Sequence, residues 1–159
     1  CAGKFYTPWN VFLLLLGFHK YGLLDSSPKT IQKVDWVKGG LLMMRKSAFD
    51  KLEGFDPNIF LYVEDMELCY RANLKGYNCY FYPDVEVLHI EHGSGNRTSA
   101  IVNIYKNLLY FYKKHRSPGE YLFVKCALEA KARMLLFFGT IARKPYLKET
   151  YGKALSAIR

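Results

Sequence analysis

A change of pattern near residue 95 constrains this chain more than any other feature. Before it, short apolar runs are punctuated by Gly, Pro, Asn and Asp, as strands and short helices joined by turns are. After it, apolar residues recur at helical spacing over long stretches. The polar stretch HGSGNRTS, residues 92–99, separates the two. The expected architecture is an α/β part over residues 1–95 and a helical extension over 96–159. With 159 residues, half of them hydrophobic, the chain is large enough to bury a core and is not disordered by composition.

Charge follows the same division. Residues 1–92 hold ten Lys/Arg against eleven Asp/Glu, whereas residues 93–159 hold thirteen against three. The basic character sits in the C-terminal part, which suits an anionic partner. The longest uncharged run, FYTPWNVFLLLLGF, has 14 residues and contains Pro8 and Asn10. It falls short of the roughly 20 residues that cross a bilayer as a helix. Cys1, Cys69, Cys79 and Cys126 form no CxxC or zinc-ligand spacing. Cys69 and Cys79 read as small buried hydrophobes in a reducing compartment, with a disulfide between them as the alternative.

Local signals predict the elements. Residues 5–24 read as a short helix or an irregular packed segment. Val34–Met44 reads as one buried strand around a Gly39-Gly40 break. Ser47, with Asp50 three residues on, predicts a capping box, and Gly54 predicts the end of that short helix. A second helix starts near Asp65 and stops at Gly76. NCYFYP and Val85–Ile90 read as strands. Thr98 or Ser99 caps a helix to about His115. SPGE repeats the start signal, with Ser117 as cap, for a helix to about Ala142, and a last helix follows Pro145.

Within FLYVEDMELCYR, residues 60–71, Glu64 and Asp65 open the second helix. Carboxylates there satisfy free N–H groups and meet the positive end of the helix dipole. Two adjacent acids also repel each other, so a second duty is open: a carboxylate at a rigid helix start can take a proton from a hydroxyl. His89 and His92 read as structural residues or as part of a metal site needing further ligands. Gly39-Gly40 reads as a bulge or as a close approach to a ligand. Arg45, Arg71 and Arg97 read as ion-pair partners or phosphate binders.

The order of these features carries more than any one of them. VDWVKGGLLMMRKSAF, then GFDPNIFLYVEDMELCYRANLKGY, then YPDVEVLHIEHGS resembles the C-terminal half of the catalytic domain of family-two glycosyltransferases of the GT-A fold. It is most similar to the rhamnosyltransferase-like members that build bacterial surface polysaccharides. The resemblance is dense over residues 34–95 and loose over 98–140. It implies an inverting transferase in which Asp65 is the base that deprotonates the acceptor hydroxyl. Glu64 would help hold the acceptor, Trp36, Gly39 and Gly40 would line the sugar pocket, and Arg71 would contact substrate. His89, with His92 as the fallback, would be a ligand of a divalent magnesium or manganese ion on the donor diphosphate. The implied partners are a nucleotide-diphosphate sugar and a saccharide or lipid-linked acceptor. The family's Asp-x-Asp motif does not occur in these residues, and His92 stands where a Gly is usual. The expectation is an acceptor-side portion that is inactive by itself.

For the basic part, IVNIYKNLLYFYKKH predicts one apolar helical face of Ile101, Ile104, Tyr105, Leu108 and Tyr112. That face packs on the α/β part, or lies in an anionic membrane surface, a reading that KARMLLFFGTIARK favours. Nucleic-acid binding ranks last, for want of a known signature. The resulting expectation is a cytoplasmic protein, peripheral at the inner face of the cell membrane. A non-catalytic membrane- or partner-binding module of the same fold is the alternative.

Overall fold

Gly54 and Gly76 follow two helix ends, as expected, in a computed structural model that describes residues 2–16, 25–88 and 96–158; Pro8, which read as a break, instead opens a helix. The chain forms two units, Cys1–Ile90 and Glu91–Arg159.

The first unit contains β1 (Ala2–Gly3), α1 (Pro8–Leu15), β2 (Asp25–Ser26), β3 (Gln32–Val34), β4 (Trp36–Val37), α2 (Lys46–Lys51), α3 (Glu64–Leu74) and β5 (Cys79–Phe81). Its strands pair antiparallel in two small sheets. One has the order β2-β1-β4, with Ala2 opposite Ser26 and Val37; the other pairs β3 with β5, Val34 opposite Cys79. The unit is mixed α and β. The long strand expected over Val34–Met44 is instead divided. Its start joins β5, Trp36–Val37 joins β1, and Gly39–Leu41 turns as a 3-10 helix. Residues 85–88 are exposed coil, not the expected strand; their alternating pattern finds no neighbouring strand to pair with among the described residues.

Helix ends follow local chemistry only in part. At the end of α3 the N–H of Tyr77 reaches the carbonyl of Ala72 at 3.0 Å, and Gly76 supplies φ +82° between them. That is the expected left-handed stop. The expected capping box on α2 is absent. Arg45 is its N-cap, and Asp50 pairs with Lys46 at 2.8 Å. A core of Leu52, Leu68 and Ala72, with Met44, Phe49 and Tyr77 against it, ties α2 to α3. β4 packs beside α3.

The second unit consists of α4 (Arg97–His115), α5 (Pro118–Ile141) and α6 (Pro145–Ala157), each packed on the other two. The capping box of Ser117 and Glu120 is formed in both directions. The buried side of α4 is Tyr105, Asn107, Leu108, Leu109, Phe111 and Tyr112. It is wider than the predicted face, and Ile101 and Ile104 are only half-buried. Gly139 sets the approach of α6 to α5. A Cβ there would lie 2.8 Å from Leu147 Cβ and 2.9 Å from the backbone N of Lys148. Gly139→Ala is therefore expected to destabilise the protein by about 1–3 kcal/mol, despite alanine's better helix propensity. Urea unfolding checks this: an unchanged midpoint would show that the helices yield freely.

Candidate active site

The backbone enters α3 under strain. Tyr62 and Val63 both have left-handed backbones, with φ +66° and +76°. Neither is glycine and Val63 is β-branched, so each such residue costs about 1–3 kcal/mol. Val63 is the N-cap and offers no side-chain cap. This bend delivers Glu64 and Asp65 to the helix start, where the N–H groups are free.

Asp65 uses both carboxylate oxygens. Oδ1 accepts from the Met66 N–H at 2.7 Å and Oδ2 from the Gly39 N–H at 2.9 Å. The first bond is local to the helix start. The second reaches 26 residues back along the chain and ties the carboxylate to the turn after β4. A carboxylate has about four lone-pair directions, so one on each oxygen stays available to a hydroxyl. Gly39 also lines an open cleft of 410 Å³ together with Leu42, Met44, Lys46, Phe49 and Phe55. The half-buried acid thus stands one hydrogen bond from the cleft wall. A Cβ on Gly39 would sit 3.6 Å from Asp65 Cβ and 3.8 Å from its Oδ2, over the carboxylate. Both are ordinary van der Waals distances, so the turn packs directly on the acid.

Glu64 is unlike its neighbour. Its Oε2 is buried without a hydrogen-bond partner among the described residues. Burial pushes its carboxyl above the usual carboxylate range; a backbone hydrogen bond partly opposes this, and the charge of Asp65 adds to it. The native state therefore holds the proton more tightly than the unfolded chain does. Stability is present in full below the unfolded pKa and falls as pH rises through the folded one. Glu64→Gln is expected to abolish that fall and to be the more stable form at neutral pH. Thermal midpoints at acidic and neutral pH check the sign; a variant that loses stability at both would refute it.

The remaining expected site residues lie as follows. Trp36 is buried, donates its indole N–H to the Lys4 carbonyl at 3.0 Å and meets Tyr6 edge-on at 6.3 Å. It supports the turn behind Gly39. Gly40 is exposed in that turn. Arg71 holds the framework: Nε donates to both oxygens of Glu67 at 2.9 Å, Nη2 to Gly54 O at 2.7 Å, and Nη1 to Leu52 O. Glu67 is fully buried. Its spacing of four from Arg71 was a visible signal for this pair. The cleft residues on α2 and its flanks carried no signal of their own. His89 and His92 lie outside the described residues. Among the described residues, no group of three or more His, Cys, Asp or Glu gathers as a metal site.

About half of the chain is similar to curated glycosyltransferases. It is 33% identical over 78 residues to rhamnosyltransferase WbbL of Escherichia coli K12, covering 49% of this chain and 30% of the relative. It is 32% identical over 87 residues to the N-acetylglucosaminyl-diphospho-decaprenol L-rhamnosyltransferase of Mycobacterium tuberculosis H37Rv, covering 54% and 28%. It is 26% identical over 91 residues to the low-salt glycan biosynthesis hexosyltransferase Agl10 of Haloferax volcanii, covering 55% and 30%. The matches thus span about three-tenths of each relative's length. No family model and no solved structure matches the chain.

Proposed function

We propose that this chain is the acceptor-side part of an inverting, GT-A-type glycosyltransferase of surface-glycan synthesis. The observation that carries the reading is the Asp65 carboxylate, held by two backbone N–H groups beside a cleft, in a chain similar to sugar transferases. In this reading Asp65 takes the proton from an acceptor hydroxyl as its oxygen attacks the anomeric carbon of a nucleotide-diphosphate sugar. The bond to the diphosphate breaks on the opposite face and the configuration inverts. Gly39 and Gly40 leave room for the sugar, and Trp36 backs them. Glu64 shapes the helix start and, where it keeps its proton, has an O–H to offer the acceptor. Arg71 fixes α3 against the end of α2 and acts only through that framework.

A divalent magnesium or manganese ion, when bound, would neutralise charge on the departing diphosphate. His89, or else His92, is this chain's proposed ligand for it. The acceptor is a saccharide, free or on a lipid carrier, and the proposed place of action is the cytoplasmic face of the cell membrane.

The test is a transfer assay on the full-length protein, with the donor-binding half this reading requires, using a panel of nucleotide-diphosphate sugars and a polyprenyl-diphosphate saccharide. Release of nucleoside diphosphate that requires the acceptor, with a product of inverted anomeric configuration, is expected. Acceptor-dependent transfer with retained configuration would overturn the mechanism. No transfer with any donor would favour the non-catalytic module instead.

A further inference from the structure

Helix α5 has two apolar faces, and among the described residues only one is covered. Val124, Leu128, Ala132 and Gly139 are buried. On the far side, Phe123, Cys126, Ala130, Met134, Phe137 and Ile141 are all exposed. Their spacings of three and four residues make one stripe, about 27 Å long at 1.5 Å per residue. Phe138 widens it at the C-terminal end, where Phe137, Phe138 and Ile141 are 53 to 65% exposed. Scattered exposed apolar residues are ordinary; a continuous stripe with aromatic residues marks a surface that meets something.

The charges around it say what. At 100° per residue, Lys131 and Arg133 fall about 80° to either side of the stripe. Arg143, Lys144 and Lys148 lie exposed just beyond its C-terminal end, with no ion-pair partner among the described residues. The acids of this unit's helices are each matched by a base one turn away: Glu120 with Arg116, Glu129 with Lys125 and Arg133, Glu149 with Lys153. Among the described residues, the charge left without an ion-pair partner at the C-terminal end of the stripe is therefore positive. Two copies joined through this face would bring their basic rims together, which disfavours self-association. Nucleic acid has no use for a run of Ala, Met and Ile between its stacking aromatics. An apolar stripe rimmed by cations complements the acyl boundary and headgroups of an anionic bilayer. No helix among the described residues is long and apolar enough to cross a membrane.

We infer that the exposed face of α5, from Phe123 to Ile141, is a membrane-docking surface that lies in the interface of an anionic bilayer, with Lys131, Arg133, Arg143 and Lys144 at its headgroup rim. The inference stands on this helix and does not rest on the transferase reading. Sedimentation of the whole chain with vesicles tests it, using phosphatidylcholine alone and phosphatidylcholine mixed with phosphatidylglycerol. Binding is expected with the mixed vesicles and to weaken with added salt. Phe137→Ser with Ile141→Ser is expected to lower that binding by roughly tenfold or more with an unchanged circular dichroism spectrum. Arg143→Gln with Lys144→Gln, which leaves the apolar stripe intact, is expected to lower binding to the mixed vesicles only. Equal sedimentation with and without the anionic lipid, or serine variants that bind as well as the unmodified chain, overturns the inference. So does a vesicle-free dimer, or an oligonucleotide complex, that the serine pair disrupts.

Discussion

Under the proposed function, Asp65→Asn in the full-length protein is expected to lower the transfer rate by about 10²–10⁴-fold, the usual contribution of a placed general base. The hydrogen bonds make this variant informative in a second way. Both oxygens of Asp65 face backbone N–H donors, one on Met66 and one on Gly39. An asparagine amide has one acceptor oxygen, so its NH₂ group must face one of those donors. The lost bond destabilises the variant by about 1–3 kcal/mol. Activity and stability therefore fall together, and the two must be separated. Asp65→Ser makes the comparison: it also loses a bond and the carboxylate, but its hydroxyl can turn its proton away from the N–H donors. If both variants lose transfer alike while donor binding and folding persist, Asp65 is the base. If either variant transfers sugar at the unmodified rate, another group takes the proton.

Arg71→Met is expected to destabilise the protein by about 3–5 kcal/mol, since it removes the cation facing a fully buried carboxylate. It also strips the Leu52 and Gly54 carbonyls of their donor at the end of α2. Against a typical total of about 5–15 kcal/mol, such a loss leaves the first unit marginal. Arg71→Lys should recover little, because one ammonium cannot serve the carboxylate and two carbonyls with the fork of a guanidinium. Glu67→Leu added to Arg71→Met should restore much of the stability, as the buried charge is then gone. Denaturant midpoints of the three variants decide the matter. A single Arg71→Met variant as stable as the parent would show that Glu67 takes up a proton at little expense.

The comparison of Asp65 with Arg71 shows what kind of information a sequence holds. Both stand in one short helix, and the order of motifs around them was legible, as was the helix itself. The role of Arg71 was legible only in its spacing of four from Glu67. Its partners Leu52 and Gly54 are backbone carbonyls, and any residue type could present them. The cleft is likewise built from Leu42 and Met44, which read as part of a buried strand, and from Phe49 and Phe55, which no motif singled out. The strained Tyr62-Val63 bend had no signal either, because neither residue favours a left-handed backbone. The exposed stripe of α5 was foreshadowed by KARMLLFFGTIARK, although periodicity alone could not say which of two apolar faces the neighbouring helices would cover.

The residues themselves determined some of the helix ends and caps, though not the starts of α2 and α4, where Arg45 and Asn96 replace the expected Ser47 and Thr98 or Ser99. Gly76, the Ser117–Glu120 box, Pro118 and Pro145 act within a turn of the chain, so their effects are local and written in order. Tertiary structure alone decided the division of residues 32–37 between two sheets, the bond from Gly39 to Asp65 and the covering of one face of α5. Each of these depends on which distant segment arrives alongside, and backbone groups that pair over such distances carry no side-chain label.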